Sequence, residues 1–139
     1  MHERSPPSRR PGRPFGVQLL AALLTWYAMA GVFIAASLVS GRPDQLRWEI
    51  VAGAASLFAI ASGLAARSVW SLASSAPRWL VACGIAGAAL CVVLVSSMDT
   101  PAGESRGDMW RAAIIGAVLF VAFLALAARY VSRHIRSRS

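Results

Sequence analysis

A chain of 139 residues is of single-domain length, yet 57% of it is apolar and only 14% charged, leaving too few polar residues to cover a water-soluble globule of that size. The basic excess, a formal net charge of +8 from 14 basic and 6 acidic residues, is carried by arginine alone, since the chain has no lysine. The charges fall in five short stretches separated by four long intervals that hold none, which excludes an ordinary soluble domain and points to bilayer spans.

The chain opens on a basic tail, 1–14, with Pro6, Pro7, Pro11 and Pro14 among Arg4, Arg9, Arg10 and Arg13, a composition expected to be disordered in water. An apolar run then extends from Phe15 to Val39, longer than the roughly 20 residues that cross about 30 Å of hydrocarbon at about 1.5 Å per residue. Tail, apolar run and the triplet Ala28, Met29, Ala30 together imitate a secretory signal with a small-residue cleavage site. Against cleavage, the run continues unbroken through Gly31 to Val39, and Trp26 and Tyr27 crowd the site. Ser8, Arg9 and Arg10 resemble a twin-arginine signal, but Pro11, Gly12 and Arg13 stand where apolar residues should follow. Trp26 and Tyr27 lie near the middle of the span, where an indole donor wants a partner. Packing against another helix is expected there, with a ligand-facing role as the alternative.

A short polar loop, Ser40 to Arg47, leads to a second span, Trp48 to Ala66. Ala52, Ser56, Ala59, Gly63 and Ala66 recur in it at alternating spacings of four and three, a small-residue face of the kind that lets helices approach in lipid. This stripe is expected to be a buried contact with Gly63 as its narrowest point, so that Gly63→Leu would overpack it, while Leu57, Phe58 and Leu64 point elsewhere. The next loop, Arg67 to Arg78, is about a dozen residues, with Val69, Trp70 and Leu72 placed for the interface and Pro77 placed to open the third helix.

The third span, Trp79 to Met98, contains both cysteines, Cys83 and Cys91, about 12 Å apart along a helix axis and therefore too far for a bridge within it. Small polarizable packing residues are the expected role. A loop from Asp99 to Asp108, with Pro101 and Gly103, precedes a fourth span, about Met109 to Val131. Leu119, Phe120, Phe123 and Leu124 make this the bulkiest of the four and the most lipid-exposed. A second basic tail, 132–139, follows. Looser small-residue faces occur in the first span (Ala21, Thr25, Ala28, Gly31, Ala35) and the third (Gly84, Gly87, Ala88, Cys91). With every backbone group needing a partner in lipid, each span is expected to be a helix. The fold class is thus an all-α, integral membrane, antiparallel bundle of four transmembrane helices over 15–131.

Arginine placement sets the orientation, because short cytoplasmic loops carry the positive excess. Arg4, Arg9, Arg10, Arg13, Arg67, Arg78, Arg129, Arg133, Arg136 and Arg138 share one side with Glu3. Arg42, Arg47, Arg106 and Arg111 share the other with Asp44, Glu49, Asp99, Glu104 and Asp108. Both termini are therefore expected in the cytoplasm, and Trp48, Trp110, Trp70 and Trp79 fall at span boundaries, where tryptophan prefers to lie.

Membrane catalysts, proton-coupled carriers and haem proteins leave ionisable or ligand residues inside their spans, whereas none of these spans has a charged residue or a histidine at its centre, the fourth being charge-free between Arg111 and Arg129. The histidines, His2 and His134, are in the tails. Glu49 and Asp99 sit at the outer boundary, where a solvated cap is expected rather than a proton relay. Ser37, Ser56, Ser62, Ser96 and Ser97 are expected to bond back to their own helices. No catalytic, cofactor-binding or metal-ligating residue is predicted. Small four-helix drug exporters carry a glutamate in the first span, which this chain lacks. The arginines are explained by membrane edges, so nucleic acid is not expected as a partner; anionic lipid headgroups are.

Arg13, Pro14, Phe15, Gly16 and Val17 at the start of the first span resemble the opening of uncharacterised small bacterial membrane proteins that begin Arg-Pro-x-Gly-Val and continue as four helices. Gly63, Leu64, Arg67, Trp70, Pro77, Arg78 and Trp79 resemble the Gly-Leu, Arg, Trp and Trp-Leu pattern those proteins place between their two hairpins. The resemblance implies a bacterial cytoplasmic membrane and no particular mechanism. The expected function is that of a non-enzymatic accessory, assembly or self-associating membrane component, with a channel or carrier for a small uncharged solute as the alternative.

Overall fold

In a computed structural model that describes residues 12, 14–41, 48–97 and 105–138, the chain forms helices α1 (Phe15–Gly41), α2 (Trp48–Trp70), α3 (Ala76–Ser97) and α4 (Arg106–Arg138). No strand occurs among the described residues. Each of the four helices is long and apolar enough to cross a bilayer. The expectations placed on 1–11, Arg13, 42–47, 98–104 and Ser139, including the disordered tail and the carboxylate of Asp99, lie outside the described residues.

Local chemistry sets where each helix starts and stops. The Pro14 carbonyl accepts from the Val17 and Gln18 amides at 3.1 and 3.2 Å, which opens α1. α3 begins with Ser75 accepting from the Arg78 and Trp79 amides, and Pro77 occupies its first turn, where a missing N–H costs no bond. α4 is capped by Ser105, whose Oγ accepts from the Asp108 amide at 3.2 Å, with the Asp108 carboxylate in the first turn where the helix dipole favours it. That cap carries α4 back to Arg106, ahead of the Met109 boundary expected from hydropathy.

The connection between α2 and α3 is shorter than expected. α2 continues through Arg67 to Trp70, and only residues 71–75 separate it from α3. It ends in a Schellman arrangement: the Ala73 amide donates to the Ser68 carbonyl at 3.0 Å and the Leu72 amide to the Val69 carbonyl at 3.1 Å. Leu72 takes the left-handed position, with φ 50°. Val69 is fully buried and Leu72 packs against the core, so of the three residues placed at the interface only Trp70 remains exposed.

Consecutive helices pack in antiparallel pairs, α1 with α2, α2 with α3 and α3 with α4. The buried positions run Val51, Ala55, Phe58, Ser62, Ala65, Val69 in α2 and Ala76, Leu80, Cys83, Gly87, Leu90 in α3, alternating by four and three as a helix seam requires. Val17, Leu20 and Leu24 of α1 and Leu124, Ala128 and Val131 of α4 complete the core. Those three are the buried residues of α4 among the described side chains, which makes α4 the peripheral helix, as its bulk suggested.

The small-residue stripe of α2 is corrected. Ala52, Ala59 and Ala66 are buried, but Ser56 and Gly63 are exposed, and Phe58 is in the core. The seam is centred about one residue away, on the larger side chains. Close backbone approach occurs instead at Gly31, where a Cβ would stand 3.0 Å from both the Ala55 carbonyl oxygen and the Ala59 Cβ. A Cβ on Gly63 would meet nothing within 4 Å.

Candidate functional site

The middle of the bundle is occupied by an aromatic layer. Tyr27 of α1 meets Phe120 of α4 edge-on, with ring centroids 5.5 Å apart, and Phe58 of α2 lies 6.1 Å from each, all within the range of favourable aromatic pairs. Gly87 of α3 abuts the Phe120 ring, and a side chain there would collide with it. Tyr27 therefore packs, as expected. Its neighbour Trp26 does not, being 67% exposed on the outer face of α1.

A polar contact crosses the core. Ser62 Oγ lies 3.2 Å from Cys83 Sγ, linking α2 to α3, so Ser62 departs from the expected bond to its own helix. Ser56 and Ser96 follow the expectation, donating to the Ala52 and Val93 carbonyls at 2.8 and 2.9 Å. Cys83 is buried and Cys91 half-buried, and both are free thiols. A hydroxyl and a thiol are weak mutual hydrogen-bond partners, and either can be the donor in the Ser62–Cys83 contact.

Among the described residues the charged side chains lie toward the helix ends. Glu49 is exposed in the first turn of α2. Arg111 and Asp108 are 3.9 Å apart one turn from each other on the surface of α4, a separation and exposure that contribute little. The His134 ring lies against Tyr130 with centroids 4.3 Å apart and planes tilted by 49°, and its Nδ1 is 3.0 Å from the Tyr130 carbonyl oxygen. Among the described residues no three of His, Cys, Asp and Glu come together as a metal site would require.

Surface depressions follow the α1–α2, α1–α4 and α2–α3 seams, the last about 450 Å³ beside Leu57, Ala61, Ile85 and Ala89, and a further one lies on α4 alone. One, about 470 Å³, runs between α1 and α2. Its polar lining, Gln18, Arg67 and Trp70, gathers where α1 starts and α2 ends. From there it continues along Ala22, Thr25, Ala28 and Gly63, with buried Ala21 and Ala66 as its floor. Thr25 adds no free hydroxyl proton to this trough, since its Oγ1 donates to the Ala21 carbonyl at 2.8 Å. A second groove, about 390 Å³, separates α1 from α4 and is lined by Leu19, Leu23, Phe123, Leu126 and Tyr130. The depression on α4, about 400 Å³, lies along its last turns beside Arg129, Ser132, Arg133 and Arg136.

The α1–α2 groove is the arrangement sequence reasoning missed. Arg67, Trp70 and Gly63 stand out in the sequence as loop and stripe residues, but they meet one another and Gln18 only through the register of two helices that the sequence does not specify. Compared with known proteins, the chain matches no family model, no curated protein and no solved structure.

Proposed function

We propose that the chain is a multi-pass protein of a bacterial cytoplasmic membrane, with both termini on the cytoplasmic side, that acts without catalysis through its helix contacts, as an accessory, assembly or self-associating component. The observation that carries this reading is a filled interior inside an apolar shell. Tyr27, Phe58 and Phe120 occupy the mid-height of the bundle, with Leu24, Leu80 and Leu124 fully or almost fully buried around them. Large apolar side chains such as Phe33, Leu57, Ile85 and Leu119 face outward on all four helices, an apolar surface far beyond that of a soluble monomer. With the centre packed and the charged groups toward the ends, what remains to act is the outer face and the seams. A partner membrane protein, a second copy and the lipid itself are the surfaces these fit.

The orientation rests on the arginine asymmetry, ten on the side of both tails against four. A reporter fused after Ser139 should behave as cytoplasmic, and Ser105→Cys should react with a membrane-impermeant thiol reagent added from outside. A periplasmic C-terminus would overturn both the span count and the charge argument. Purification in a lipid-preserving medium, with mass spectrometry of what co-purifies, tests the mode of action. A stable partner or a defined oligomer supports it, whereas a lone species that makes liposomes permeable to uncharged solutes favours a channel or carrier.

A further inference from the structure

We infer that the groove between α1 and α2 is a seat for one anionic phospholipid, its phosphate at Arg67 and one acyl chain lying along the trough past Gly63. This inference rests on the membrane reading above and adds to it a site. The polarity of the groove has the order of a lipid. Its polar end is formed by Arg67 with Gln18 and Trp70, and its far end by Ala28. Arg67 and Trp70 occupy the last turn of α2, the level at which a headgroup meets the hydrocarbon. From Gln18 to Ala28 the trough extends roughly 15 Å along α1, at 1.5 Å per residue, which is about half of a 30 Å hydrocarbon core and so the depth of one leaflet.

The charge complements an anion. Among the described residues Arg67 is the one formally charged residue lining the groove, its side chain is exposed, and guanidinium offers a phosphate paired, parallel hydrogen bonds. The trough itself is dry and smooth. Its residues are Ala, Gly and a threonine whose hydroxyl proton is already given to its own helix, and the space above Gly63 is open to 4 Å and beyond. A flexible methylene chain fits such a channel, whereas a second helix would bring side chains without a counter-charge for Arg67.

The experiment uses the full chain in vesicles of equal parts phosphatidylglycerol and phosphatidylcholine, followed by native mass spectrometry after gentle detergent extraction. The parent should retain one phosphatidylglycerol in preference to phosphatidylcholine. Arg67→Gln should lower that preference roughly five-fold, the effect of one arginine near a membrane surface, while Arg111→Gln at the opposite end of the bundle leaves it unchanged. Gly63→Leu, whose side chain enters open space, should keep the parent melting temperature and lose the bound lipid. Retention equal to the parent in Arg67→Gln or in Gly63→Leu overturns the inference, as does an equal loss in Arg111→Gln or a dimer that dissociates on Gly63→Leu. A parent chain that fails to float with the vesicles overturns the membrane reading as well; one that floats without lipid preference overturns this inference alone.

Discussion

Gly31 and Gly63 face opposite circumstances on two helices that pack together. At Gly31 the α1 backbone comes so near α2 that an added Cβ would be 3.0 Å from the Ala55 carbonyl oxygen, tighter than backbone can yield without moving the helix. Gly31→Leu should therefore destabilise the bundle by about 1–3 kcal/mol through overpacking, read as a lower melting temperature in one detergent. Gly63→Leu should melt with the parent. The reverse ranking would mean that α2 is rotated from the described orientation by about one residue. The sequence could not assign these roles, because small residues occupy two neighbouring stripes of α2, Ala55, Ala59, Ser62 and Ala66 beside Ser56 and Gly63, and residues one apart differ by only about 100° around the axis. Hydropathy does not separate them either, since lipid and core are equally apolar.

At the level of the helices, the apolar centres were legible and the ends were not. Charge marks where hydrocarbon stops, but a helix continues as long as its carbonyls and amides find partners. α2 therefore runs three residues beyond Arg67, until the Schellman bonds from Leu72 and Ala73 close it, and α4 runs on as helix through Arg133 and Arg136. The α2 terminus places a leucine where glycine is the usual choice. Its left-handed φ costs about 1–2 kcal/mol, offset by the packing of the Leu72 side chain against the core. Leu72→Ala keeps the strain and loses the packing, whereas Leu72→Gly loses both. Leu72→Gly should consequently be the more stable of the two by about 1 kcal/mol in thermal melting, and equal stabilities would remove the strain from the account.

Across the whole molecule, the aromatic layer joins α1, α2 and α4 at one height, and Gly87 makes room for it on α3. Phe120→Ala should cost about 3 kcal/mol, the low end for an aromatic core truncation because lipid adds no hydrophobic term. Phe123→Ala, at a side chain 44% exposed, should cost little; comparable losses in thermal melting would place the bundle centre elsewhere. Four long apolar helices were legible because charges are absent from long intervals, but this layer was not, since Tyr27, Phe58 and Phe120 are far apart in sequence and their meeting depends on all three registers. The extensive backbone contacts link only helices adjacent along the chain, and α1 reaches α4 through side chains such as Tyr27 on Phe120. During synthesis, each helix after the first thus finds an adjacent partner already made as it leaves the ribosome, and the half-built protein presents Tyr27 and Phe58 as an open socket that α4, the last helix translated, fills with Phe120.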